Sequence, residues 1–137
     1  MQILYLGLGG LLALLSTRWL AHHPPARELK GWAAALVLVS GACVAFAVAT
    51  GAGDWIGLEL AGMFLFAGIA YAGVRFAPAL LSLGWSARAF WDLAHFMSDD
   101  AIFIPGRYAL AWIGYDLVVG AYLARRCRTG ALRPLAS

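Results

Sequence analysis

Charged residues are scarce in this sequence. They make up 12% of its 137 residues, whereas about a quarter of an ordinary soluble domain is charged. The sequence also lacks polar linkers and low-complexity stretches. A chain of 137 residues has no room for a soluble domain beside its apolar runs. Because 63% of the residues are apolar and the mean hydropathy is +0.78, we predict one integral membrane domain over residues 1–137 and not a soluble globular fold.

Cysteine is scarce, and an N-terminal basic segment is absent. The two cysteines, Cys43 in an apolar run and Cys127 in a basic segment, lie in such different surroundings that we predict neither a disulfide nor a metal pair. Residues 1–15 contain no Lys or Arg, and their apolar run continues to Leu20, which is not the form of a secretory signal peptide. We interpret them as part of a first helix that the protein keeps.

Long apolar runs, by contrast, are abundant. A helix needs about 20 mostly apolar residues to cross the hydrocarbon core of a bilayer. Four runs meet this requirement readily: 3–20, 32–49, 56–76 and 108–124. A fifth stretch, 78–97, is long enough but contains Arg88, Asp92 and His95, so hydropathy alone leaves four or five spans open.

The charges of the loops favour five spans. Cytoplasmic loops collect Lys and Arg, and basic residues cluster between the first two runs and after the last one. These residues are Arg18, Arg27, Lys30, Arg125, Arg126, Arg128 and Arg133. If 78–97 crosses the membrane, both basic segments lie on one side, while Asp54 and the pair 99–100 lie on the other. We therefore predict an all-α bundle of five transmembrane helices, with the N-terminus outside and the C-terminus in the cytoplasm; Arg107 is the one exception.

The stretch 78–97 places its polar residues on one side of a helix. At about 100° per residue, Arg88, Asp92 and His95 fall within about 60° of one another. A charge near the centre of a bilayer costs at least about 2.5 kcal/mol, so we expect this face to point into the bundle and to find partners there. Such residues predict a functional site, and the alternative is a buried ion pair that only fixes the helix register.

Depth along the spans predicts the partners of this polar face. Arg88 lies nine residues before the end of its span at 97, and Asp116 lies eight residues after the start of the last span at 108. Both are therefore about 12 to 14 Å deep at 1.5 Å per residue, and we predict that they pair near the middle of the membrane. Glu59 reaches the depth of Asp92 and His95, which predicts a second polar cluster nearer the outer surface.

The last two spans contain Gly-Trp, then Trp-Asp and His, and later an Asp. The residues concerned are Gly84, Trp85, Trp91, Asp92, His95 and Asp116. This pattern resembles the C-terminal half of a family of small, uncharacterised bacterial integral membrane proteins. Two positions depart from it, because Arg88 stands where the family has a His and Phe96 replaces the second His of a pair. The resemblance implies a multi-span helical protein of the bacterial inner membrane, but it implies no reaction.

Three functions remain compatible with the sequence. We favour a polar pocket on the third, fourth and fifth helices that binds, and in one version transforms, a small amphipathic or lipidic molecule. Asp92 and His95 are the candidate catalytic acid and base. The candidate binding residues are Glu59, Arg88, Trp91, Tyr115 and Asp116. The alternatives are a non-catalytic accessory subunit of a membrane complex and a small ion- or proton-coupled transporter, whose polar path would end at the midplane.

Metal ions and cofactors are not predicted. One imidazole with carboxylates, as His95, Asp92 and Glu59 would provide, is a poor zinc site, and Arg88 one turn away would repel a cation. The expected partners are membrane lipids, a small lipidic ligand, and a second copy or a larger membrane complex, with no nucleic acid. Small residues at every fourth position from 41 to 61 and again at 68 and 72 are compatible with a homodimer, although we favour packing within one bundle as their explanation.

Aromatic residues near the predicted span ends indicate contacts with the membrane interface. Trp and Tyr are enriched at that level because one end of the side chain is apolar and the other is polar. The residues that we assign to this belt are Trp19, Trp32, Trp55, Trp85 and Tyr108.

Overall fold

Residues 1–101 and 103–135 are described by the computed structural model, and within them the chain forms five α-helices. The helices are α1 (Gln2–Ala21), α2 (Pro25–Ala49), α3 (Gly53–Arg75), α4 (Ala79–Met97) and α5 (Gly106–Arg128). The predicted all-α fold is confirmed. The helices α1, α2 and α3 are long and apolar enough to cross a membrane.

Two helices extend beyond the predicted spans. α2 begins at Pro25, seven residues before the predicted start at 32, because proline suits the first helical position, where the backbone N–H has no partner within the helix. Glu28, expected in a loop, is therefore helical and fully buried. At its other end, α5 continues past 124 to Arg128. The chain then turns at Gly130, whose φ of +69° is the left-handed conformation common after helix ends.

Consecutive helices are antiparallel. A Cβ on Gly62 would lie 2.6 Å from the Trp91 ring, and one on Gly73 would lie 2.7 Å from Leu81, so α3 and α4 run in opposite directions. The Ser82 hydroxyl donates to the Gly120 carbonyl at 2.8 Å between α4 and α5. α5 also packs along α1, and α3 packs along α2. The five helices therefore lie side by side with alternating direction.

The two ends of this bundle differ in charge. One end contains the α1–α2 turn, the α3–α4 turn and the end of α5, and we call it the basic end. Its Lys and Arg residues are Arg18, Arg27, Lys30, Arg75, Arg125, Arg126, Arg128 and Arg133. The opposite end contains the α2–α3 turn and the α4–α5 loop, and we call it the acidic end. It carries Asp54, Asp99 and Asp100 together with Arg107.

Two of the tryptophans assigned to the membrane interface lie in the core. Trp32 and Trp85 are buried, and their rings meet edge to face with centroids 5.8 Å apart. The prediction for these two residues is wrong because both side chains turn inward from α2 and α4, where neighbouring helices cover them. Trp19, in contrast, is 65% exposed beside the basic end.

Some of the small residues in the predicted row pack against a neighbouring helix, and others lie on an open surface. Gly41 of α2 packs against Met63 of α3, as expected for close helix packing. In α3 itself, a Cβ on Gly53, Gly57 or Gly68 would meet no atom within 4 Å, so these glycines lie on an open face. Packing within this bundle therefore explains only part of the row, and the homodimer stays a prediction.

Candidate functional site

The polar face of α4 points into the bundle, as its spacing predicts. Arg88, Asp92 and His95 are 0%, 3% and 6% exposed, and they are joined there by Glu59 from α3 and Asp116 from α5, which are also buried. We call these five residues the polar cluster. All five are among the site residues predicted from the sequence, and the bundle brings them together.

Arg88 lies within ion-pair distance of Asp116, as predicted, but its hydrogen bond goes to Asp92. Its Nη1 donates to Oδ1 of Asp92 at 2.9 Å, four residues along the same helix. Asp116 lies within ion-pair distance, with 3.9 Å between Arg88 Nε and Asp116 Oδ2, but it accepts no hydrogen bond. The depth argument correctly places Asp116 beside Arg88. Depth does not reveal the closer contact, because Asp92 lies four residues along the same helix and so faces the Arg88 guanidinium directly.

Glu59 and His95 are paired directly, as their depths predict. The distance between His95 Nε2 and Glu59 Oε1 is 2.5 Å. On the other side of the ring, His95 Nδ1 lies 2.8 Å from the Trp91 carbonyl oxygen. Because a carbonyl only accepts hydrogen bonds, Nδ1 carries a proton, and the contact with Glu59 holds one further proton on either the imidazole or the carboxyl group. Asp92, expected in this second cluster, bonds Arg88 instead.

Formal charges do not balance in the polar cluster. Three carboxylates face one guanidinium and one imidazole, so two positive groups oppose three negative ones even when His95 is protonated. Among the described residues, seven buried side-chain N and O atoms have no hydrogen-bond partner, and five of them belong to Arg88, Asp92 and Asp116. An unpaired buried charge is costly. One additional proton is the smallest species that removes the excess charge.

The space within the polar cluster is small. A gap of about 160 Å³ in total separates it from α2, and it is too narrow at every point for a water molecule. Its lining includes Ser40 and Cys43 of α2, which we did not predict as site residues, and Glu59, Arg88 and Trp91. Binding of a lipidic molecule between α3, α4 and α5 stays a prediction, and it requires these helices to separate.

Aromatic rings enclose the middle of the polar cluster. The Trp112 ring lies over the Arg88 guanidinium, 5.9 Å from its centroid, which favours the cationic form. Trp91 packs edge to face against Phe66 at 6.0 Å and lies 5.8 Å from the His95 ring. Tyr115, predicted to bind a ligand beside Asp116, packs its ring against Trp112 at 5.0 Å. These rings therefore pack around the charged side chains of the polar cluster.

Two rings separate His95 from the surface at the acidic end. Trp55 and Phe103 lie 5.4 and 5.9 Å from the His95 ring and 5.4 Å from each other. On their outer side are two open hollows of about 590 and 320 Å³. The first is lined in part by Trp55 and the second by Phe103, and both share Ala52 and Asp100. We call Trp55 and Phe103 the aromatic lid.

A second buried ionic cluster lies near the basic end. Glu28 of α2 accepts hydrogen bonds from Tyr122 Oη at 2.6 Å, Arg126 Nε at 3.2 Å and Arg126 Nη2 at 2.5 Å. Sequence reasoning missed this cluster because Glu28 was assigned to a loop and Arg126 to a tail. The signal that was available is that Glu28 is the one acidic residue among the basic residues of that end.

Comparisons with known proteins add no assignment. No family model, no curated protein and no solved structure matches this chain. Within residues 1–101 and 103–135, no three His, Cys, Asp or Glu side chains are arranged to hold a metal ion. The family resemblance of the last two helices stays a prediction, and any function must be argued from the geometry of the polar cluster.

Proposed function

We propose that this chain is a membrane protein that binds and releases a proton at the polar cluster, and that its function is proton-coupled transport. The observation that carries this proposal is the uneven charge of the cluster: three buried carboxylates with two basic groups, beside a gap next to Glu59 and Arg88 that is too narrow for water. A proton is the ligand that fits such a site without any movement of the helices. Intramembrane groups of this kind are typical of proton relays.

We also propose that all five helices cross the membrane, with the acidic end outside and the basic end in the cytoplasm. α4 contains 19 residues and α5 contains 23, so at 1.5 Å per residue each is about 28 Å or longer, close to the thickness of the hydrocarbon core. Eight of the ten Lys and Arg residues lie at the basic end, which satisfies the positive-inside rule. Arg107 at the acidic end is the exception.

Two parts of the polar cluster have separate roles in this proposal. The Glu59–His95 contact holds one proton whether the pair is ionic or neutral, so it can pass a proton inward and regain one from outside. Asp92 and Asp116 flank the same guanidinium and share the excess negative charge, so the additional proton resides on one of them. Asp92 is already hydrogen-bonded to Arg88, which makes Asp116 the terminal acceptor.

Protons reach this site from the acidic end. Asp54 and Asp100 line the hollow of about 590 Å³ outside the aromatic lid, and surface carboxylates concentrate protons by their negative potential. The lid separates this hollow from His95, so the rate of exchange depends on movement of Trp55 and Phe103. Transport also requires release towards the basic end, where Glu28 with Tyr122 and Arg126 forms a buried ionic cluster.

Infrared difference spectroscopy between neutral and acidic pH tests the proposal. The purified protein in lipid should show a carboxyl group that becomes protonated, and Asp116→Asn should abolish its carbonyl band. Asp54→Asn and Asp99→Asn, which change exposed carboxylates, are the matched controls and should retain the band. If Glu59→Gln, Asp92→Asn and Asp116→Asn all leave the difference spectrum unchanged, the polar cluster does not exchange protons and the proposal is wrong.

A small amphipathic ligand remains a second candidate. The hollow of about 590 Å³ is within the size range of ligand sites, and it combines the apolar surfaces of Trp55 and Leu58 with two carboxylates. A ligand with a basic group would therefore stabilise the protein against thermal unfolding, and Trp55→Ala would remove that effect. The accessory-subunit alternative predicts neither this stabilisation nor the infrared band.

A further inference from the structure

A hollow on the outer surface of α5 lies at the basic end. It measures about 570 Å³ and is lined by Ala121, Ala124, Arg125, Arg128 and Thr129. Arg125 and Arg128 are three residues apart and therefore neighbours on one face of the helix. Both are exposed, and neither guanidinium has a hydrogen bond or ion pair with a described residue.

Arg126 lies in the same helical turn as Arg125 and Arg128, but its side chain has partners within the bundle. It points to the other side of α5, where Glu28 accepts hydrogen bonds from it. Arg126 therefore connects α5 to α2, while the Arg125 and Arg128 side chains form no hydrogen bond or ion pair with residues 1–101 or 103–135. The fold does not need their charges at this position, so their ten N–H donors, five on each guanidinium, face the hollow and its surroundings.

The end of α5 does not oppose an anion there. Helix C-termini carry partial negative charge on unpaired carbonyl groups. Here the carbonyls of the last turn are occupied: Thr129 N–H donates to Arg125 O and Gly130 N–H donates to Cys127 O, each at 3.0 Å. The Thr129 hydroxyl also donates to Arg125 O at 3.1 Å. The two guanidinium groups therefore dominate the electrostatics of the hollow.

The same face of α5 becomes apolar towards the middle of the helix. Leu117 and Ala121 precede Ala124 and Arg128 by whole turns of the helix. Leu117 is 49% exposed, and Ala121 is exposed as well. A molecule that follows this face would meet two cations at the basic end and then the apolar surface of Ala121 and Leu117 towards the middle of the helix. This order of charged and then apolar surface matches a phospholipid, whose phosphate lies at the membrane interface and whose acyl chain lies deeper in the bilayer.

From this arrangement we infer that the hollow binds one anionic phospholipid, whose phosphate lies between Arg125 and Arg128 and whose acyl chain follows Leu117 and Ala121. Guanidinium groups suit phosphate because they offer paired, parallel donors. The headgroup of phosphatidylglycerol is an uncharged glycerol, so its phosphate has no ammonium group beside it that would compete with the two arginines, as a zwitterionic lipid has. This site is separate from the polar cluster and does not depend on proton binding.

Native mass spectrometry of the full chain, titrated with phosphatidylglycerol or with phosphatidylcholine, tests the inference. We expect one tightly bound phosphatidylglycerol and weaker binding of phosphatidylcholine. Arg125→Gln with Arg128→Gln should weaken the tight binding about 30-fold, because each basic residue near a lipid surface contributes a factor of about five. Ala121→Trp, which keeps both guanidinium groups but fills the hollow, should weaken it as well.

Arg18→Gln with Arg27→Gln is the matched control, since it removes two exposed charges from the same end but outside the hollow. It should leave the tight binding within about twofold of the wild type, below the roughly fivefold step that one basic residue contributes. Equal losses in both double variants would show that only the total charge attracts lipid and would overturn the inference. Displacement of the lipid by an equal concentration of inorganic phosphate would show that the headgroup alone is recognised, which overturns the acyl-chain contact.

Discussion

Arg88 Nη1 donates a hydrogen bond to Asp92 Oδ1 at 2.9 Å, whereas Asp116 Oδ2 lies 3.9 Å from Arg88 Nε and accepts no hydrogen bond. One guanidinium therefore faces two buried carboxylates in unequal ways. Asp92 forms the pair with Arg88, and Asp116 adds the negative charge that this pair does not neutralise. The two carboxylates can be changed one at a time. Changing Asp92 therefore tests the ion pair that stabilises the bundle, and changing Asp116 tests proton binding.

Removing Arg88 should be strongly destabilising. Arg88→Met leaves Asp92 and Asp116 buried without a cation, and breaking a buried ion pair from one side costs about 3 to 5 kcal/mol. Arg88→Met with Asp92→Leu should recover part of this free energy of unfolding, since Asp116 still lacks a cation in the double variant; equilibrium unfolding in mixed micelles measures the difference. Arg107→Met, at an exposed position, is the control. Additive effects of the Arg88 and Asp92 changes would contradict the pairing.

The two aspartates should respond differently to a neutral replacement of the same shape. Asp116→Asn removes the excess charge and breaks no hydrogen bond, so the free energy of unfolding should stay the same or rise. Asp92→Asn removes the charged acceptor of the Arg88 hydrogen bond and should lower that free energy by about 1.5 to 3 kcal/mol. Both values come from the same unfolding titration at neutral pH. A larger loss for Asp116→Asn than for Asp92→Asn would reverse the assignment.

Opening the aromatic lid should expose His95. Trp55→Ala or Phe103→Ala removes one of the two rings between His95 and the hollows of the acidic end. We expect diethyl pyrocarbonate to modify His95 severalfold faster in either variant, as peptide mass spectrometry would show. Trp19→Ala is the matched control, because Trp19 packs against His23 at the basic end with centroids 4.9 Å apart. If the control accelerates His95 modification equally, the effect is general loosening and not an open lid.

Glu28 should be the more important member of the cluster near the basic end. Glu28→Gln weakens three hydrogen bonds and the ion pair with Arg126, and we expect a loss of about 2 kcal/mol, since hydrogen bonds to charged groups contribute about 1.5 to 3 kcal/mol. The loss stays moderate because the Arg126 side chain reaches water, with 27% of its surface exposed. Tyr122→Phe, which deletes one donor, should cost about 1 kcal/mol. Thermal unfolding in detergent compares the two, and a larger effect for Tyr122→Phe would contradict this ranking.

Glycines at the α1–α5 contact should not tolerate a side chain. A Cβ on Gly9 would collide with the carbonyl oxygen of Ala111, and one on Gly114 would collide with that of Leu6. Backbone atoms cannot move aside locally, so Gly9→Ala should lower the free energy of unfolding by about 1 to 3 kcal/mol, which is typical of overpacking. The melting temperature should therefore fall by several degrees. Gly7→Ala is the control, because nothing lies within 4 Å of its Cβ. Equal melting temperatures for Gly7→Ala and Gly9→Ala would show that α1 does not pack on α5 in this way.

Local sequence patterns predicted the helices well and their ends less well. Apolar length located four of the five helices, because crossing a bilayer requires a nearly continuous apolar segment. The charges of the loops were needed to predict the fifth, 78–97. The start of α2 was misplaced because Arg27, Glu28 and Lys30 lower the hydropathy, while Pro25 is compatible with a helix start. Trp32 and Trp85 were placed at the interface because position near a span end does not reveal which way a side chain points.

The polar face of α4 could be recognised from spacing alone. Three ionisable residues within one narrow arc of a helix have to face the bundle, and the depth of Glu59 then places it at His95. The choice between Asp92 and Asp116 as partner of Arg88 could not be made in this way, because both carboxylates are within the reach of one long side chain. A difference of about 1 Å between the two contacts decides it.

By itself the sequence determined that this protein is helical, apolar and charged differently at its two ends, because these properties follow from residue order along single helices. Only the tertiary structure decided which charges meet, that Glu28 is buried with Tyr122 and Arg126, and that Trp55 and Phe103 cover His95. Residues distant along the chain become neighbours only through the relative rotation of packed helices, which composition and periodicity leave open. The space left between those helices, too narrow for water around Arg88, follows from the same rotation.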